Sequence, residues 1–120
     1  HKGLEYYKKA LKIQKKILPS IHPDIAVIYN NIGSVYGALG EYEKELKYHQ
    51  KALKIREEIL PSNHPYIATE YNNIGFIYRS LGRNENALEC YQKAKVLGCK
   101  NLEDIINLLL SLNEKEEKGE

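Results

Sequence analysis

The stretch HPDIAVIYNNIGSVYGALG, His22 to Gly40, returns 42 residues later as HPYIATEYNNIGFIYRSLG, His64 to Gly82. The offset joins His22 to His64, Pro23 to Pro65, Gly33 to Gly75, Tyr36 to Tyr78 and Gly40 to Gly82. It continues outside the quoted segments. Pro19 matches Pro61, and a second half-unit occurs three times: Tyr6, Tyr48 and Cys90; Tyr7, His49 and Tyr91; Ala10, Ala52 and Ala94; Ile13, Ile55 and Leu97. One offset shared by so many positions marks an internal repeat, the signature of stacked supersecondary units.

Each unit reads as two helices. The first opens at His-Pro, because proline at the first helical position lacks only an N–H that would be unsatisfied anyway, and its φ is already helical. Ile25, Ile28 and Tyr29, Ile32, Val35 and Tyr36, and Leu39 then fall at helical spacing. Gly40 and Gly82 stand where a helix ends in a left-handed residue. The second helix is EYEKELKYHQKALKIREEIL, with Leu46, His49, Ala52, Leu53, Ile55, Arg56, Ile59 and Leu60 inward and Pro61 closing it. No alternation of period two supports strands. The predicted helices are 2–18, 23–39, 42–60, 65–81 and 84–97, the first being a second helix without its own first helix. Leu102, Ile105, Ile106, Leu109 and Leu112 make one more apolar stripe, read as a terminal helix over 101–113 that covers the last repeat, since solenoid ends need a polar outer face. The organisation is therefore a repeat array over 1–97, a C-terminal capping helix within 98–113 and an acidic flexible tail, 114–120.

The pattern resembles the tetratricopeptide repeat, W-x₂-L-G-x₂-Y followed by A-x₃-F and a closing proline. Tyr29-x₂-Ile32-Gly33-x₂-Tyr36 and Tyr71-x₂-Ile74-Gly75-x₂-Tyr78 match its first half, and Ala87-x₃-Tyr91 its second. Gly3-x₃-Tyr7 and Glu45-x₃-His49 depart from it. The 42-residue unit, LPSxHPxxA and the paired asparagines are similar to the repeats of kinesin light chain and nephrocystin-3-like proteins. Leu-Pro-Ser here stands where those have Leu-Gly-Lys, and Gly33 where they have Ala. The resemblance implies an all-α, right-handed superhelical solenoid of antiparallel helix hairpins.

Gly33 and Gly75 each cost ~1 kcal/mol of helix propensity. Their recurrence points to a packing return, with the paired helices approaching to about 8 Å. Ala52 and Ala94 supply the reciprocal small residues. Glu45 falls where a small residue normally packs, and its long side chain is expected to snorkel out to water.

In such a solenoid the first helices line the concave side. The positions turned away from the partner helix include Val27, Asn30, Asn31 and Ser34 in one repeat, and Thr69, Asn72, Asn73, Phe76 and Arg79 in the next. This strip is nearly uncharged. An asparagine amide offers both a donor and an acceptor, the complement of a peptide unit, so asparagines one repeat apart could hold a peptide backbone like a ladder. The resemblance to kinesin light chains assigns that contact first to Asn31 and Asn73 and second to Asn30 and Asn72. The plainer alternative gives one asparagine of each pair to hydrogen bonds within the hairpin. Phe76 and Arg79 would supply selectivity. The first helices carry no lysine, which argues against a clamp for C-terminal carboxylates.

Other chemistry finds little support. His22 and His64 are read as helix-start hydrogen-bonding residues, because positions one repeat apart lie about 8–10 Å from each other whereas zinc ligands sit at about 2.0–2.3 Å. Cys90 replaces Tyr48 and is expected to be buried, and Cys99 to be an exposed thiol. There is no phosphate loop, no G-x-S-x-G and no H-E-x-x-H, so no enzyme, metal or cofactor is indicated. No apolar run approaches the ~18 residues of a membrane span, and His1-Lys2-Gly3 leads straight into an amphipathic pattern. Two cysteines among 120 residues are too few for a disulfide framework and fit a reducing, cytoplasmic compartment. The absence of methionine, even at position 1, reads as a piece of a longer protein.

The net charge is +2, but it is uneven. Residues 1–18 hold six Lys and one Glu, while 100–120 hold three Lys and six acids. Basic helices are usually solvated faces. Tyr6 and Tyr7 fall on packing positions, so nucleic acid is not the indicated partner. The leading function is a protein-interaction module that binds an extended or short helical peptide in its groove, within a larger scaffold or adaptor. The alternatives are a spacer or self-assembly module stacking end to end, and a regulatory segment of a larger enzyme.

Overall fold

The computed structural model describes residues 1–117. These form six α-helices and, among the described residues, no strand: α1 Lys2–Ile17, α2 Pro23–Ala38, α3 Tyr42–Ile59, α4 Pro65–Ser80, α5 Asn84–Val96 and α6 Glu103–Glu117. Each of the five repeat helices starts at the residue the sequence indicates and stops one residue earlier. The fold is an all-α helical repeat.

The local signals act as their chemistry requires. The Nδ1 atoms of His22 and His64 each accept the N–H two residues on, from Asp24 and Tyr66, both at 3.1 Å. Pro23 and Pro65 follow at the first helical position. At the other end Gly40 and Gly82 take φ of +76° and +74°. The next residues, Glu41 and Arg83, then donate back to the carbonyls of Tyr36 and Tyr78, both at 2.9 Å. This left-handed cap satisfies carbonyls the helix leaves open. Helices α1 and α3 end instead in the extended residues Leu18 and Leu60, because the residue before proline is driven out of the helical region.

The chain divides into two compact units, His1–Ser62 and the segment from Asn63 on. In the first, α2 packs against both α1 and α3. Ile25, Ala26, Tyr29, Ala52 and Ile55 form one buried cluster, and Ile28, Ile32 and Tyr36 another, with Tyr7, Leu11 and Tyr48 against it. Ile25 and Ile32 are completely buried, and each contributes about 1.5–3 kcal/mol. In the second unit α5 packs against α4 on one side and α6 on the other. Its core joins Ala87, Leu88, Tyr91 and Ala94 to Leu102, Ile106 and Leu109.

Beyond α5, Gly98 takes φ +108°, with Cys99 donating to the Ala94 carbonyl at 2.9 Å, and Asn101 at φ +66° turns the chain into α6. Two details depart from the sequence reading. Cys99 is half-buried against the Ala87–Leu109 core rather than exposed, because that turn folds it under α6. Residues 114–117 belong to α6 and not to a flexible tail. Glu and Lys are good helix formers, and Lys115 in the last turn suits the helix dipole. The remainder of the predicted tail, 118–120, lies outside the described residues.

Candidate functional site

Successive residues of an α-helix are turned by about 100°. On α2 this puts Val27, Asn31 and Ser34 on one side and Tyr29 and Tyr36 on the opposite, buried side. Val27 is 47% exposed, Ser34 is exposed and Asn31 half-buried. Asn31 and Ser34 line an open hollow of about 310 Å³ whose other walls include Tyr7, Val35 and Ala38. It is a partly apolar recess with an amide and a hydroxyl at its edge.

The neighbouring asparagine does something else. Asn30 Oδ1 lies 2.8 Å from Nδ1 of His49 on α3, and His49 is only 5% exposed. A carbonyl oxygen can only accept, so Nδ1 of His49 donates. One amide of the doublet thus holds the hairpin together, and the other borders open space.

The same hairpin contains the Glu45 departure. Glu45 does not snorkel out. Its side chain is 16% exposed, its carboxylate lies against Gly37, and a Cβ at Gly37 would collide with it. The missing side chain of Gly37 gives the acid its room, and the ring of His49 completes the enclosure, its Nε2 3.9 Å from Glu45 Oε2. Burial pushes the Glu45 carboxyl above its usual range, while the charge of a protonated His49 would draw it back. The His49 ring itself packs on Gly33, where an added Cβ would stand 3.0 Å from it.

On α4, Thr69, Asn73, Phe76 and Arg79 are exposed and Asn72 is half-buried. Phe76, the chain's one phenylalanine, is 59% exposed. Arg79 hydrogen-bonds the phenol of Tyr91, whose ring packs on Gly75. Burial raises the Tyr91 phenol and Arg79 lowers it.

The Asn30–His49 contact realises the alternative in which one asparagine bonds within the hairpin. One buried polar residue escaped the sequence reading: Glu70, a 1% exposed acid inside α4. The signal for Glu70 was present: the 42-residue offset aligns it with Ile28, an apolar core position. Among the described residues no group of three His, Cys, Asp or Glu side chains could hold a metal ion. No helix among them is long and apolar enough to cross a membrane. Burial raises the Cys90 thiol to about 11.

A family model for the tetratricopeptide repeat matches residues 1–58 and again 24–95. Among solved structures, BtubC (BKLC) from P. vanneervenii superposes with a TM-score of 0.74 at 25% identity, over 79% of this chain and 37% of its own. The nearly identical TPR-like repeats of a Podosopora anserina protein assigned to the kinesin light chains give 0.72 at 22% identity, over 81% and 46%. The TPR2AB domain of yeast Sti1, in its pHSP90 complex, gives 0.69 at 21%, over 95% and 41%. The chain therefore spans less than half the length of each of these neighbours. Among curated protein sequences none matches significantly.

Proposed function

Because this chain belongs to the tetratricopeptide-repeat family, we propose that it is a protein-interaction module whose first helices, α2 and α4, present peptide-binding faces. The observation that carries this is the division of labour within Tyr-Asn-Asn. Asn30 is committed to His49, while Asn31 borders an open, partly apolar hollow. A helix that keeps a second asparagine beside the one its hairpin uses, as α2 does, has a use for that amide outside the hairpin. Its donor and acceptor match a peptide unit. On α4 the counterpart is Asn73, with Phe76 offering an apolar contact beside it. Arg79 confers selectivity while anchored by Tyr91. A neighbour of the same fold is a domain in complex with pHSP90, which supports a protein ligand for this one.

In this reading residues 1–97 are the array, α6 closes it, and the whole serves a larger scaffold or adaptor. Cys90 and Cys99 are free thiols, which fits a cytoplasmic setting. The test is peptide-display selection on the chain, in parallel with a folded Asn31→Ala/Asn73→Ala variant. Peptides enriched on the wild type and lost on the variant support the reading. Enrichment indifferent to the asparagines, or none at all, sinks it.

One observation favours a second reading, end-to-end self-association. Tyr6, Ile13 and Ile17 of the basic α1 are well exposed, and the opposite end of the chain is acidic. Sedimentation over a range of concentrations tests it, and a constant monomer mass would exclude it.

A further inference from the structure

The buried side of α2, opposite its asparagines, carries a different arrangement of charge. Lys8 of α1 and Lys44 of α3 place their ammonium groups 5.5 and 5.3 Å from the centre of the Tyr36 ring. Lys15 and Lys51 do the same at Tyr29, at 5.8 and 5.4 Å. Tyr48 stacks on Tyr36 with ring centres 5.6 Å apart and lies 6.0 Å from Tyr29, so the three rings form one column. Each rung therefore has a lysine from α1, a tyrosine from α2 and a lysine from α3. The step between rungs is seven residues on all three helices, about 10 Å at the α-helical rise.

The lysines lie within cation–π distance of the rings, and their side chains remain exposed. Lys8 keeps its proton more firmly than usual, chiefly through its hydrogen bond with Tyr36. Glu41 pairs with Lys44 at 3.2 Å and is the acid on the Tyr36 rung. At the other rung an open hollow of about 350 Å³ borders Tyr29 and Lys51 and adds Lys54 and Glu58. The repeat does not require this much positive charge. One period on, Lys8, Lys15 and Lys44 become Gln50, Glu57 and Asn86, and only Lys51 keeps its counterpart, Lys93 over Tyr71.

We propose that this face of the first unit, where α1 and α3 flank the tyrosines of α2, binds an acidic peptide segment of a partner protein, one carboxylate to each rung, about 10 Å apart. Charge complementarity selects the sign of the ligand, and the rung spacing selects the interval: three residues of an extended chain or seven of a helix. Nucleic acid fits less well. Single strands are held by bases stacking on aromatic faces, and Tyr29 and Tyr36 are buried with lysines already over them. The acidic α6 of a second copy also lacks the interval, since seven residues beyond Glu103 and Asp104 stand Leu110 and Ser111. The site lies on the opposite face of α2 from Asn31 and does not depend on it.

The probe is a fluorescent repeat of Glu-Pro-Pro, which as a stiff polyproline II helix sets its carboxylates about 9 Å apart along one edge. Titrations at low ionic strength would compare it with the Gln-Pro-Pro repeat and with oligothymidylate. We expect the acidic probe alone to bind, with affinity falling as salt is added. Lys15→Gln/Lys51→Gln should weaken it at least about tenfold, with the helical circular dichroism unchanged. Lys15→Arg/Lys51→Arg should retain binding, and Asn31→Ala should leave it untouched. Equal binding of the Gln-Pro-Pro repeat, indifference to the lysine substitutions, or tighter binding of oligothymidylate would each overturn the proposal. So would concentration-dependent self-association that the Gln variant abolishes, because the face would then belong to a second copy.

Discussion

In the α2/α3 hairpin the space beside Gly37 is filled from α3, by Glu45. At the equivalent pair in α4/α5 the small residue is Ala87 on α5, completely buried, and the long one is Arg79 on α4. The two hairpins thus exchange which helix supplies the bulk. What stays constant is a ring lying on a glycine: His49 on Gly33 at 3.0 Å and Tyr91 on Gly75 at 3.1 Å, as measured from an added Cβ. The polar end of each ring then finds a different partner on the first helix. His49 pairs with Asn30, three residues before the glycine. Tyr91 pairs with Arg79, four residues after it. The repeat fixes the ring-on-glycine contact, and the polar groups around it are free to vary.

The most damaging way to break this comparison is to give the second hairpin the acid of the first. Ala87→Glu forces a carboxylate into a sealed position with no glycine opposite it, and should cost about 3 kcal/mol in denaturant unfolding. Adding Arg79→Gly recreates the Gly37/Glu45 pairing and should recover most of that loss. A double variant no more stable than the single one would show that the exchange of bulk is not a compensation.

Gly33→Leu and Gly75→Leu attack the shared contact. Each should cost ~1–3 kcal/mol, because the facing atoms are the ring itself and not a flexible chain end. Similar losses in both hairpins would confirm the contact as the common element. A loss confined to one would end the equivalence.

The asparagine doublet sharpens the comparison further. Asn30→Ala leaves the donor of His49 without its acceptor and should cost about 1–3 kcal/mol. Asn31→Ala, at the open hollow, should stay within about 0.5 kcal/mol. A double-mutant cycle of Asn30→Ala with His49→Leu should show coupling, and additive effects would mean that the 2.8 Å contact adds no stability.

This pair also marks how far the sequence could be read. The starts of the five repeat helices were legible to the residue, because His-Pro and the left-handed glycines are local signals with one structural meaning. That the glycines admit a close contact from the paired helix was legible too, but not what makes it: Ala52 and Ala94 were the expected partners, and the rings of His49 and Tyr91 lie there instead. The role of each asparagine was not. Two adjacent residues of the same type differ only in which way a 100° turn points them, and Asn30 is claimed by His49 through a contact 19 residues away. Glu45 was misread for a related reason. Its environment is set by Gly37 on another helix, and an exposed acid is the ordinary outcome for a glutamate considered alone. The α6 boundary failed because the charged run 114–117 reads as a tail, although Glu and Lys are good helix formers and continue the helix to Glu117.

Glu45 offers the finest test of the comparison, through pH. Burial raises its carboxyl above the ordinary 4.5, and His49 only partly opposes this. The folded protein therefore holds this proton to higher pH than the unfolded chain does. The stability linked to it is complete below the unfolded value and is lost as pH rises through the raised folded value. Above that value Glu45 is ionised in a place that resists the charge. Glu45→Gln should then raise the Tm at pH 7, and the advantage should disappear once the medium falls below about 4.5, where the wild-type carboxyl is itself neutral. Ala87→Gln, at the matching position of the second hairpin, removes no carboxylate and should show no such crossover. If the wild type were the more stable protein at pH 7, the attraction between Glu45 and a protonated His49 would outweigh burial. The first hairpin would then be held together by an ion pair that the second hairpin replaces with the Arg79–Tyr91 hydrogen bond.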